Sequence, residues 1–148
     1  MAEITRKELI LALIGSDTKP RLAGVDLSAL NLQRIDLEGA NLRGANLAGS
    51  SAQEAIFRSV NLTGANLTAT QLNYADMYGA NLTAVNATGA NLSQARLSTA
   101  NLSSANLTGA NLTGANLQGA TVSGVKSDAK TVWPDGKIGT ASKIENYI

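Results

Sequence analysis

Residues 90–124 read ANLSQ ARLST ANLSS ANLTG ANLTG ANLQG ATVSG, consecutive five-residue units with one apolar residue at the centre of each. Outward from this stretch the register holds without a slip. Every fifth residue from Leu22 to Val122 is apolar, and 16 of these 21 positions are Leu. The exceptions are Ala52, Phe57, Met77, Ala87 and Val122. Two residues earlier sits a small side chain, usually Ala, as at Ala40, Ala45, Ala65, Ala80, Ala100 and Ala105. Asn usually precedes the Leu, and Ser or Thr then Gly often follow.

A period of five fits neither regular element. On an α-helix five residues turn through about 500°, so successive Leu would smear around the cylinder. On a strand they would alternate between the two faces. The chain must instead turn once per unit, so that each Leu points back to a common axis. That is a solenoid, in which each coil stacks on its neighbours and no unit is stable alone.

A small residue, then Asp or Asn, then Leu or Phe, then two polar residues: this pattern resembles the pentapeptide-repeat family, and the match runs from about Pro20 to Gly124. The resemblance implies an all-β solenoid, a right-handed quadrilateral β-helix with four units per coil. About five coils, roughly 25 Å tall at strand spacing, would follow. It also implies that the Leu fill the axis while the small residues pack inside the corners. The residues themselves agree. Ala suits close backbone approach, Gly suits turns with positive φ, and Asn tolerates such turns while bonding its own backbone. Asn fills 12 of the 21 positions before the central residue, which stacking would arrange in ladders.

Three segments follow: residues 1–19 as an N-terminal capping helix and linker, 20–124 as the β-helix, and 125–148 as a C-terminal cap or tail. A solenoid must hide its terminal coils, or their open edges recruit other chains. Thr5-Arg6-Lys7-Glu8 reads as a capping box starting a helix whose apolar face is Leu9, Ile10, Leu13 and Ile14, ended by Gly15 and Ser16. Val25, Leu30 and Ile35 replace the usual Ala in the first coil, which suits a wider seat for that helix. Beyond Val125 the segment Ala129–Gly136 resembles the trailer of many bacterial, particularly cyanobacterial, members of the family. Its Pro134-Asp135-Gly136 marks a turn, and Trp133 reads as a plug over the last coil. Ile138, Ile144, Tyr147 and Ile148 would either complete that cover or mediate a dimer, leaving monomer or terminal dimer open.

If residues 20 apart stack, Leu42, Leu62, Leu82 and Leu102 form one core column, and Phe57 and Met77 belong to the same core. Ala52, next to Phe57 in the period, makes room for it within a coil, a volume-conserving exchange. On the surface Arg34 falls below Glu54, Glu38 below Arg58 and Asp76 below Arg96. Such exposed pairs set register more than stability, each being worth about 0–1 kcal/mol.

Chemistry is scarce. The chain has no Cys and no His, which removes disulfides, Cys/His metal sites and the commonest catalytic base. Each acid of the paired columns has an arginine neighbour, and no cleft is implied, so no catalytic, cofactor-binding or metal residue is assigned. A net charge of +1 with 3% aromatic content speaks against a nucleic-acid partner. No stretch approaches 18 apolar residues, so no membrane span is expected. The run Leu9–Ile14 has the look of an export signal, but Glu8 interrupts its basic flank and no small-x-small site follows. A cytoplasmic protein is the expectation, with secreted or lumenal placement open.

The expected function is a non-enzymatic structural or protein-interaction module, a rigid solenoid presenting a neutral polar surface to an unknown protein partner. The family resemblance raises an alternative, the gyrase-interacting DNA mimic of its quinolone-resistance branch. Five acids balance five arginines over residues 20–124, and none lies between Ser98 and Gly124, so the negative potential of such a mimic is missing. The column Thr68, Thr88, Thr108 beside Asn66, Asn86, Asn106 raises ice or carbohydrate binding, against the simpler reading that Thr suits an exposed β wall. Eight Asn-x-Ser/Thr sequons follow from the repeat and carry no argument for glycosylation.

Overall fold

The backbone amides of one unit explain the sequence pattern. In the unit around Leu62, Asn61 N donates to Ala40 O on the coil below, and Leu62 N and Gly64 N donate to Asn81 O and Thr83 O on the coil above. Ala65 N closes the turn on Leu62 O at 2.9 Å. The remaining amide, Thr63 N, donates to the Asn61 side-chain Oδ1 at 3.1 Å. All five donors are satisfied, and an Asx residue before the Leu is what satisfies the fifth. Ladders between Asn side chains are a secondary use. Asn46 Nδ2 donates to Asp26 Oδ1 and Asn66 Nδ2 to Asn46 Oδ1, each at 3.1 Å.

The computed structural model describes residues 4–14, 19–140 and 144–148, apart from the side chain of Ile14. Parallel bridges join each residue before a centre to the one 20 further on, from Arg21↔Asn41 through Asn106↔Lys126. Four units therefore close one coil, and the molecule is a right-handed quadrilateral β-helix. Its walls are defined by their central residues: wall 1 by Leu22, Leu42, Leu62, Leu82, Leu102 and Val122; wall 2 by Leu27, Leu47, Leu67, Ala87 and Leu107. Wall 3 is centred on Leu32, Ala52, Leu72, Leu92 and Leu112, and wall 4 on Leu37, Phe57, Met77, Leu97 and Leu117. From Leu27 to Leu117 every one of these centres is buried, and the inward Ala line the corners of the same cluster.

Each unit turns through its last two residues, the second of which has positive φ from Gly24 to Gly124. Together with the bond from the next unit's first amide to the central carbonyl, this is the type II turn geometry. Ten of these positions are not Gly.

At the lower end α1, Arg6–Ile14, lies against the first coil. Thr5 N donates to Glu8 Oε2 at 2.7 Å and Glu8 N to Thr5 Oγ1 at 3.2 Å, a reciprocal capping box. Leu9 is fully buried in the core cluster, and Leu13, Ile4, Val25 and Leu30 pack against it. The helix stop assigned to Gly15 and Ser16 lies outside the described residues. Arg6 adds a contact the repeat pattern does not show. Its guanidinium donates to Asn31 O at 2.6 Å and Gln33 O at 2.9 Å. One coil higher, the matching carbonyls of Ser51 and Gln53 accept from Leu32 N and Arg34 N. Arg6 thus stands in for two amides of a coil that is not there.

At the upper end the parallel pairing runs past residue 124, where the apolar period stops. Val132 pairs with Asn111, 21 residues back, so one inserted residue is absorbed in the turn around Asp128. The Asp128 carboxylate accepts from Gly109 N at 2.9 Å and Lys130 N at 3.0 Å, and the buried Thr131 hydroxyl donates to Leu107 O. Trp133 then occupies the place a central Leu would take above Leu112. It is 4% exposed, stacks on Tyr147 with centroids 6.0 Å apart, and donates Nε1–H to Gly139 O. Past the turn at Pro134–Gly136, Ile138 pairs antiparallel with Val132. Ile144, in the 3-10 turn Ile144–Tyr147, is buried, whereas Ile138 and Ile148 face solvent.

Candidate functional site

The core residues named from sequence sit inside and touch no solvent. Leu42, Leu62, Leu82 and Leu102 stack on wall 1, and Phe57 lies one coil below Met77 on wall 4, all at most 1% exposed. Thr5, Glu8, Leu9, Leu13 and Trp133 lie at the two ends, as described above. The buried ones offer no surface, and the exposed pair Thr5 and Glu8 is bonded to itself in the capping box. Among the described residues no three acids converge as a cation site requires.

The four walls do not present equal surfaces. On walls 1 and 2 the Thr hydroxyls are committed to the fold: Thr68, Thr88 and Thr108 each donate to the preceding Asn Oδ1 at 2.6 Å. Wall 4 is different. Reading upward, its outward side chains are Asp36 and Glu38, then Ile56 and Arg58, then Asp76 and Tyr78, then Arg96 and Ser98. Ile56 and Arg96 stand where an Asx residue would have satisfied the turn amide. At these rows the sequence has given up a local bond for a side chain that serves no turn.

These side chains connect between rows. Arg58 Nε donates to Asp76 Oδ2 at 2.6 Å, and Arg96 Nη1 lies 3.5 Å from the same oxygen. The Arg96 guanidinium also covers the Tyr78 ring, 4.9 Å from its centroid, a cation–π contact. Partial burial pushes the Asp76 carboxyl up, but the Arg58 hydrogen bond, the Tyr78 amide and both arginine charges together hold it below the usual range. The pairing of Arg58 with Glu38 expected from the column is not what forms. Arg58 reaches up to Asp76, whose side chain is only 19% exposed and whose carboxylate is already oriented by Tyr78 N, so it is the less hydrated and better-fixed acceptor. The Asp76–Arg96 and Arg34–Glu54 pairs form between the rows that the 20-residue spacing names, the latter bidentate at 2.9 and 3.1 Å. The hydrogen bond from Arg34, chiefly, keeps Glu54 ionised below its ordinary value.

The corner between walls 3 and 4 extends this surface. Its positive-φ positions read Arg34, Glu54, Tyr74, Gln94 and only then Gly114. At the other three corners Gly recurs and the remaining residues are Ala, Ser or Thr. A left-handed conformation costs a side-chain-bearing residue roughly 1–2 kcal/mol, so four successive large residues there are accepted against the backbone's preference. Gln94 lies across Gly114, where any Cβ would collide with it. Tyr74, φ 61°, is 63% exposed, and Tyr78 is 42% exposed. Sequence reading placed the ion-pair columns but missed both tyrosines; the 20-residue spacing already set Tyr74 above Glu54 and Tyr78 above Arg58.

The comparisons with known proteins agree with this geometry. The family model for pentapeptide repeats matches in 8 copies over residues 21–58, 61–98 and 90–126. Among solved structures the chain is similar to a pentapeptide repeat protein, Rfr23, from the cyanobacterium Cyanothece 51142. That match has 30% identity and a TM-score of 0.78, covering 84% of this chain and 99% of the other. It is also similar to alr5209, a pentapeptide repeat protein from Nostoc PCC 7120, at 25% identity and a TM-score of 0.55, covering 84% and 96%. Comparison with curated proteins finds no match.

Proposed function

The chain belongs to the pentapeptide-repeat family, and we propose that it works as a non-enzymatic interaction module whose recognition face is wall 4 with its corner at Tyr74. The observation that carries this reading is the concentration of exposed Tyr and ordered Arg on one wall of an otherwise Asn, Thr and Gly surface. Tyr and Arg are enriched in binding hot spots, where they supply large contact area in well-packed pockets. Here Arg58 and Arg96 are already held by Asp76, so less ordering remains for a partner to impose. The neutral surface expected from sequence is thus replaced, as the proposed contact face, by the wall on which charged and aromatic side chains are densest.

Nothing favours a duplex mimic, which needs a rod of negative potential; on wall 4 arginines alternate with the acids above the first row. No helix among the described residues is long and apolar enough to cross a membrane.

The recognition face is tested with immobilised full-length protein as bait for a cell extract. A partner held by the native chain should be held equally by Thr68→Ala/Thr88→Ala on wall 2 and lost by Tyr74→Ser/Tyr78→Ser. Equal capture by all three would remove wall 4 from the proposal.

A further inference from the structure

The lower four rows of wall 4 carry formal charges of −2 (Asp36, Glu38), +1 (Arg58), −1 (Asp76) and +1 (Arg96) from the bottom upward, and the fifth, Asn116 and Gln118, is neutral. This order is complementary to its own reverse. We propose that the occupant of wall 4 is a second copy of the chain, docked wall to wall with the two solenoid axes antiparallel and the two-fold lying between the Phe57 and Met77 rows. The proposal rests on wall 4 being the recognition face and names what it recognises.

Two symmetric arrangements can bring the wall against itself, and electrostatics separates them. A two-fold along the solenoid axis keeps each row facing the same row and exchanges the two outer columns. Asp36 of one copy would then face Glu38 of the other, twice over, an unfavourable meeting of like charges. A two-fold along the strand direction keeps the columns and reverses the rows. Asp36 then faces Arg96, and Arg58 faces Tyr78, each contact occurring twice as an isologous interface requires. Glu38 comes opposite the Ser98 hydroxyl. Along the corner, Tyr74 comes opposite Glu54. Asp76 comes opposite Ile56 and keeps its two arginine partners within its own copy. Each charged row as a whole meets a row of opposite net charge, and only the reversed arrangement achieves this.

The side chains needed are available. Asp36 and Glu38 are exposed, the Arg96 side chain is 55% exposed and that of Arg58 45%. Area sets the strength. Four rows at strand spacing are about 20 Å tall. With the corners included, the contact is roughly 300–400 Å² per copy, well under the ~800 Å² of a standard stable interface. The dimer should therefore be weak and reversible, and its charged contacts should respond to salt. A terminal region, the site that the sequence suggested for a dimer, is not involved in this arrangement.

Symmetry supplies the test. Asp36→Arg sets two arginines against each other at both ends of the self-dimer, and Arg96→Glu does the same with two acids. An equimolar mixture of the two variants restores both contacts, because each introduced charge meets its opposite and the native Asp36 meets the native Arg96. Sedimentation velocity on the full-length chain, from about 5 μM to 1 mM in 20 mM salt, should show dimer growing with concentration for the native protein. Each variant alone should associate at least ~10-fold more weakly, and the mixture should return to near-native association. Arg43→Glu on wall 1 should leave association unchanged. Thermal melts of each variant separate loss of pairing from loss of fold. A native chain that stays monomeric to 1 mM overturns the proposal, as does a dimer indifferent to mixing or one lost on Arg43→Glu. A monomeric chain whose heterologous capture still depends on Tyr74 and Tyr78 leaves wall 4 as the recognition face and removes only the second copy.

Discussion

Walls 2 and 4 sit on opposite sides of the same core and solve the same backbone problem, yet their side chains do different work. On wall 2, Asp26, Asn46, Asn66, Asn86 and Asn106 each bond the amide two residues on, and the Thr hydroxyls fold back onto the Asn. Where these side chains also reach between rows, as Asn46 to Asp26, Asn66 to Asn46 and Asn106 to Thr88, they join groups that already serve turns. On wall 4 the rows are bridged by charged and aromatic groups: Arg58 to Asp76, Asp76 to Arg96, Arg96 to Tyr78. The coil needs none of these contacts, since wall 2 builds its rows without them. On the proposed reading, the contact face is the wall where charged and aromatic groups displace the outward consensus while the centres stay apolar.

If the two walls differ only outside, the largest effects must be the same for both. Leu67→Ala on wall 2 and Leu97→Ala on wall 4 remove fully buried side chains from one shared column system. Each should cost about 2–5 kcal/mol in urea unfolding, with the spread set by how far the coil collapses around the gap. A wall 4 variant costing under about 1 kcal/mol would mean that its centre is not part of the scaffold, and the contrast would have to be redrawn.

A smaller effect of opposite sign tests the corner. Tyr74→Gly removes a left-handed strain of about 1–2 kcal/mol. Against that stands the chain entropy of Gly, about 0.5–1 kcal/mol. The variant should be more stable by ~0.5–1 kcal/mol, read from the shift in urea midpoint, while association through wall 4 weakens. Stability and binding moving in opposite directions would mark Tyr74 as retained for contact. A destabilised variant would show instead that its ring supports the fold.

The ion network of wall 4 has a pH signature of its own, set by arginines, whereas Asp26 on wall 2 is held down chiefly by its bonds from Ser28. Asp76 titrates below its unfolded value in the native state, so it contributes stability above the ordinary Asp range. That contribution is lost as pH falls through the native value. Asp76→Asn should therefore be less stable than the native chain at neutral pH and converge on it as pH falls from about 5 toward 2. Other acids share the acid limb, among them Glu54 and Asp128. The difference between the two proteins isolates Asp76. Parallel curves would show that Arg58 and Arg96 do not stabilise it in solution.

Much of this was legible in the sequence because the period is unforgiving. A five-residue repeat with apolar centres admits few chain paths, and the offset of 20 aligns Arg34 with Glu54 and Asp76 with Arg96 without any coordinates. Two kinds of feature escaped. Arg58 chose between Glu38 and Asp76 on hydration and orientation, which column arithmetic does not contain. The register shift before Val132 escaped because the apolar period ends at Val122, whereas the backbone pairs on regardless of side chains. Arg6 was hidden for a related reason: it bonds carbonyls, and carbonyls carry no sequence signal. Tyr74 and Tyr78 were placed by the same arithmetic as the ion pairs; what the letters did not say is that one stands exposed in a strained turn and the other lies under a guanidinium.

The smallest expected effect belongs to wall 2 and is the strictest check on the contrast. Thr68→Ala deletes a hydroxyl that donates to Asn66 Oδ1 at 2.6 Å, the shortest kind of contact on that wall. Its loss should nevertheless be nearly silent. Asn66 Oδ1 keeps its bond from Thr68 N at 3.1 Å, which any residue at this position supplies. Asn66 Nδ2 keeps its bond to Asn46 Oδ1 on the row below. The Thr side chain is half-buried, so water replaces the hydroxyl as partner and leaves no orphaned group. What goes is one partly hydrated contact and some packing of a methyl group, together under about 0.5 kcal/mol. Association should not change at all. If Thr68→Ala lowered stability by more than about 1 kcal/mol, the hydroxyl row would be holding successive coils together. If it weakened association, wall 2 would be a contact surface too. Either result would mean that the regular wall is not inert, and that a lapse from consensus is no guide to which face meets a partner.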